Sequence, residues 1–205
     1  MATNPYIDRI MDRVRIRVPG TLDGVTQIEL FDAVNEFLAN TNAWQDTIEV
    51  ELKPGKFVYD LTPSGGSAET WRIMSVKNVD GTPYRLPAWM TIPGELQTSS
   101  DVTEKTKIMV TVALAPGLMG KKQTYPDIPD YIWNDYYDII LDGVISRLMS
   151  QPAKPYSNPQ MALFHGKKFN SGCNVAKWQL ENGRLYRGQN WRFPQTFAGR
   201  NLRRP

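Results

Sequence analysis

Asp127-Ile128-Pro129-Asp130-Tyr131-Ile132-Trp133 opens the stretch that decides the fold, and that stretch runs on to Asn182-Gly183. A proline suits the first turn of a helix, and the acids beside it sit where the helix dipole favours negative charge. Ile132, Tyr136, Ile139, Ile140, Gly143, Val144 and Leu148 then recur at helical spacing up to about Gln151, which predicts one continuous apolar face. Leu141 and Ile145 fall off that stripe, so a second apolar contact is expected for this helix. Asn158-Pro159 caps a second helix that should end at Asn182-Gly183. Its inward positions are Ala162, Gly166, Phe169, Cys173, Ala176 and Leu180, mostly small. Such residues let another helix approach closely, although each helical glycine costs roughly 1 kcal/mol relative to alanine.

Working outward, the N-terminal end supplies two shorter helices. Asn4-Pro5 reads as a cap, with Ile7, Ile10, Met11 and Val14 on one face and Arg9, Arg13, Arg15 and Arg17 on a face expected to be solvated. Thr26 and Glu29 have the spacing of a capping box, which predicts a helix with Ile28, Phe31, Val34, Phe37 and Leu38 inside, closed by Asn40-Thr41-Asn42. From Asp46 the period falls to two. Ile48, Val50 and Leu52, the Pro54-Gly55 turn, and Phe57, Tyr59 and Leu61 predict a hairpin. Trp71, Ile73 and Val76 begin a third strand that turns at Asp80-Gly81 and returns through Tyr84 to Leu86; Pro87 to Ser100 reads as irregular. A last strand covers Lys107 to Leu114.

This order predicts an α+β protein. Residues 1–44 and 127–183 would form a discontinuous helical bundle, residues 45–126 an inserted antiparallel β-sheet or sandwich module with its linker, and residues 184–205 an extended C-terminal arm.

With 41% hydrophobic and 22% charged residues, and no apolar run long enough to cross a membrane, the composition is that of an ordinary globular protein with no membrane association. The start, Met1-Ala2-Thr3-Asn4, has no charged leader followed by an apolar segment, so cytoplasmic synthesis is expected. One cysteine, Cys173, precludes an internal disulfide. The formal charge of +3 is unevenly spread: six arginines after Gly183, with no acid among them, leave −3 on the rest of the chain.

Catalytic chemistry is sparse. His165 is the single histidine, too few for a two-histidine metal site, and no nucleophile elbow accompanies it. Gly117-Leu118-Met119-Gly120-Lys121-Lys122 has too short a glycine spacing for a phosphate loop and no Ser or Thr after the lysine. Asp130, Asp135, Asp138 and Asp142 are carboxylates on one helix; Asp138 and Asp142 share a face and read as a solvated pair. No catalytic residue, metal or cofactor is therefore expected.

The tail carries more. Arg184, Tyr186, Arg187, Trp191, Arg192, Phe193, Phe197, Arg200, Arg203 and Arg204 interleave cations with aromatic rings. One reading is nucleic-acid binding, arginine for phosphate and rings for stacking. The favoured one is an arm that docks on a protein partner, since Trp, Tyr and Arg dominate binding hot spots.

Ala33-Val34-Asn35-Glu36-Phe37-Leu38 with Thr41 and Trp44, Leu52-Lys53-Pro54-Gly55, Tyr59-Asp60-Leu61-Thr62-Pro63 and Val76-Lys77-Asn78-Val79-Asp80-Gly81 form an ordered set. Ile128-Pro129-Asp130, Trp133, Ile140, Gly143, Arg147-Leu148, Pro152-Ala153-Lys154-Pro155, Ser157-Asn158-Pro159 and Phe169 continue it. Taken together these segments, spread over about residues 5 to 183, resemble the head-to-tail adaptor (connector) proteins of tailed bacteriophages, in the layout of the tail tubular A type of short-tailed phages. The resemblance implies a structural virion protein at the head-tail junction. Copies would form a homo-oligomeric ring, a dodecamer, between the portal protein and the tail nozzle protein. Double-stranded DNA would pass through its channel without sequence readout. It also implies that the arm reaches toward the portal and that Leu141, Ile145, Gly166, Phe169 and Ala176 lie between subunits. A nucleic-acid-binding module acting through the basic tail is the alternative.

Overall fold

The computed structural model describes residues 5–64, 68–99, 102–116 and 128–182. Among these residues there are four helices: α1 (Pro5–Arg17), α2 (Asp23–Thr41), α3 (Asp130–Ser150) and α4 (Pro159–Glu181). Between α2 and α3 lie β1 (Gln45–Leu52), β2 (Val58–Asp60), β3 (Ala68–Asn78), β4 (Ala88–Met90), β5 (Glu95–Thr98) and β6 (Thr106–Pro116). The strands form two antiparallel sheets of three, ordered β1-β6-β3 and β2-β5-β4. The protein is thus mixed α+β.

α3 is the element that the others surround. It packs against α1, α2 and α4, and Ile132, Trp133, Tyr136, Ile140, Leu141, Val144, Ile145 and Leu148 are all buried on it. The second apolar contact expected from Leu141 and Ile145 exists, but its partners are the chain's own helices. The glycines bring α3 and α4 together. A Cβ on Gly143 would stand 2.8 Å from the Phe169 ring and 3.3 Å from Ala33, and one on Gly172 only 2.7 Å from Ile139. Gly166 similarly faces Ser146, whose hydroxyl donates to the Ala162 carbonyl at 2.8 Å. Asn158 caps α4, its side-chain oxygen accepting from Met161 N–H at 3.1 Å.

Four local expectations are corrected. α2 starts at Asp23, one turn before the supposed capping box, and the Thr26 hydroxyl donates back to the Leu22 carbonyl at 3.2 Å. Asp23 is held instead by the Arg15 guanidinium at 2.8 and 3.1 Å, which also lowers the pKa of its carboxyl. Ile28, expected inside, is exposed, and Leu30 and Ala33 fill the core. β1 and β2 are not a hairpin: β1 pairs with β6, whereas β2 pairs with β5 in the second sheet. Their connection is a corner pinned by Tyr59, whose hydroxyl accepts from Lys53 N–H at 2.9 Å and donates to the Lys56 carbonyl at 2.9 Å. The stretch that reads as irregular supplies β4 and β5, with Leu96 fully buried.

β6 is central in its sheet, burying Ile108, Val110 and Val112 on one face. β3 follows it with two breaks in register, between Thr70 and Arg72 and between Ile73 and Ser75. These skip Trp71 and Met74, and both are exposed. Buried side chains from the helices and from both sheets belong to one continuous apolar cluster.

Candidate subunit-interaction surface

Of the five helical residues expected between subunits, four lie inside the chain and Gly166 is half-buried. Leu141, Ile145, Phe169 and Ala176 are buried to within a few per cent, and Gly166 is occupied by Ser146. Leu141 and Ile145 lie off the main stripe of α3, but α3 has neighbours on three sides, and these cover them. The arm and all its named arginines and aromatics lie outside the described residues, as does Gly117 to Lys122.

What α4 leaves uncovered is another set. Its inner face buries Ala162, His165, Phe169, Cys173 and Ala176. About a third of a turn away, Met161, Phe164, Val175 and Trp178 form a second stripe, with Lys168 and Ser171 in the two central positions. These six residues alternate steps of three and four, the spacing of a helix-pairing seam. Phe164, Val175 and Trp178 keep 52%, 52% and 50% of their surface open, and Leu163 is exposed nearby. The signal was present in the sequence, but the buried stripe masked it, because two stripes on one helix blur a single-period reading.

Lys168 ties this surface to the core. Its ammonium lies 5.5 Å from the Phe164 ring centroid and 3.4 Å from Asp142 Oδ2. Asp142 Oδ1 is 2.7 Å from His165 Nδ1, both residues being buried at 7% exposure. The solvated pair expected of Asp138 and Asp142 is therefore split: only Asp138 is exposed. Asp142 is a core group, satisfied by a histidine and a lysine from α4, and the charge cluster is closed on itself rather than aimed at a substrate.

Nearby, Arg147 links α3 to α2 through Glu36 at 2.5 Å and Glu29 at 3.9 Å. Cys173 is buried, and its thiol is pushed up to about 12 by burial and by the charge of Glu36, which makes it a poor nucleophile. Among the described residues no cluster of three or more His, Cys, Asp or Glu is placed to hold a metal ion, and no helix is long and apolar enough to cross a membrane. Compared with protein-family models and with curated proteins, the chain matches none.

Proposed function

We propose that this chain is a structural head-to-tail adaptor of a tailed bacteriophage, working as a ring of copies between portal and tail nozzle and extending the DNA channel. The observation that carries the reading is the open apolar stripe on α4, Met161, Phe164, Val175 and Trp178. A ring needs a face that meets a different face on the next copy and closes by rotation. Covering the open half of Phe164 or Trp178 is worth about 2 kcal/mol each, at about 25 cal/mol per Å² of the 150–250 Å² such side chains bury. In this reading the helices from both ends of the chain form one bundle, the two sheets are a module inserted into it, and residues 184–205 are an arm toward the portal. The resemblance of the ordered sequence segments to those of the adaptor family supports the same reading.

The test is assembly. The purified chain mixed with a cognate portal is expected to give a ring complex by electron microscopy and light scattering. If only free monomer persists with portal and nozzle both supplied, the reading is lost.

A further inference from the structure

A groove of about 300 Å³ runs between α1 and α3, away from the α4 stripe. Arg9, Arg13 and Arg17 stand along one side of it, and Trp133, Tyr137 and Asp138 line the other. Four-residue steps on a helix place the three guanidinium stems about 6 Å apart, a row of about 12 Å. Arg15, on the next face of α1, is fully engaged by Asp12 and Asp23. By contrast, among the described residues no carboxylate pairs with Arg9, Arg13 or Arg17. Arg9 is steered into place instead by the Tyr137 ring, with its guanidinium carbon 4.8 Å from the centroid. Among the described residues Asp138 is the one acid of the groove, so three cations face a single anion.

The second observation is independent of charge. Trp133 is 1% exposed, and among the described residues its buried indole N–H has no acceptor. A buried donor left unmade costs about 1–3 kcal/mol in general. Trp133 lines the groove, so its indole reports on what fills it, while the unpaired cations call for an anionic ligand.

We infer that this groove binds the phosphodiester backbone of a nucleic-acid strand, one arginine to each of successive phosphates. A row about 12 Å long at its stems spans more than one small anion, whereas a chain of phosphates presents acceptors along its length. Arginine is the residue best suited to them, because its planar fork donates two parallel hydrogen bonds. Contacts to phosphates carry no sequence information, so the contact is independent of sequence. The inference does not depend on ring formation.

The experiment uses the full chain and a labelled duplex, read by fluorescence anisotropy across a salt series. Arg9→Gln, Arg13→Gln and Arg17→Gln together are expected to lower the slope of log affinity against log salt by about 2 to 3, because each lost phosphate contact removes about one released counterion. Replacement of the same three by lysine keeps the slope. A companion variant with Arg184, Arg187 and Arg192 changed to glutamine separates the arm's contribution. The Trp133 indole N–H resonance, assigned through Trp133→Phe, is expected to shift when the duplex is added. An unchanged slope in the α1 variant overturns the inference, as does an indole signal that ignores the duplex. Inorganic phosphate moving the indole as far as the duplex does would reassign the groove to a lone anion. Equal displacement of the duplex by polyglutamate would reassign it to an acidic protein partner, and either result defeats the nucleic-acid assignment.

Discussion

Gly172 and Gly24 are both helical glycines, and only one of them is replaceable. A Cβ at Gly172 meets Ile139 at 2.7 Å, so Gly172→Ala is expected to destabilise by about 1–2 kcal/mol in urea unfolding, the overpacking outweighing the helix-propensity gain. At Gly24 nothing lies within 4 Å, and alanine there should be neutral or stabilising. Asp142→Ala strips His165 of its buried partner and should cost about 1–3 kcal/mol, while replacing both by apolar residues of similar shape recovers part of the loss. Asp46 supplies a pH signature. Its carboxylate accepts from Ser64 N–H and hydroxyl at 3.0 Å each and from Thr47 N–H at 2.8 Å, and these bonds lower its pKa. The folded state therefore prefers the charged form. The stabilisation is present above the unfolded value of about 3.9 and fades as the pH falls through the lower folded one. The stability gap between wild type and Asp46→Asn should accordingly narrow between pH 6 and pH 2. Gly172 lies beside the small inward positions that the sequence shows on α4, but the sequence gave no sign that Asp142 is internal. Its charge and its neighbour Asp138 both argued for solvent, and the partners that permit burial sit a helix away.

At the scale of elements, α4 is the decisive one. Val175→Ser with Trp178→Ser should abolish self-association or ring assembly in sedimentation while leaving the unfolding midpoint of the monomer nearly unchanged, because exposed side chains away from special contacts change stability by about 0.5 kcal/mol or less. A parallel loss of stability would mean that the stripe is part of the fold instead. The helices were legible because their apolar periods are long: α3 and α4 lie within a few residues of the expected ends. The strands were legible as strands but not as pairs. Pro54-Gly55 between two alternating runs is the ordinary sign of a hairpin, yet β1 finds its partner in β6, more than fifty residues away, and β2 finds β5. Nothing local to a turn reports which strand wins the hydrogen bonds on either side of it.

For the molecule as a whole, Cys173 offers a reporter of integrity. With its thiol pushed up to about 12, labelling by a thiol reagent at pH 8 should be slow in the folded chain and rise with unfolding. Fast labelling of the folded chain would show that the α3–α4 contact opens readily. The same contact explains why Leu141, Ile145, Phe169 and Ala176, expected between subunits, are buried within the chain. An apolar side chain announces that it must leave water, and it does not announce whether its shelter comes from its own chain or from another copy. By itself the sequence determined the class of each helix, the change of period at Asp46, the core character of α3 and the scarcity of catalytic groups, since all of these are properties of spacing and side-chain type. Only the tertiary structure decided the strand pairing, the burial of Asp142 beside His165, the uncovered stripe on α4 and the row of arginines facing Trp133. Each of those depends on which distant segment arrives, and the free energy that selects the arrival is shared over the whole core.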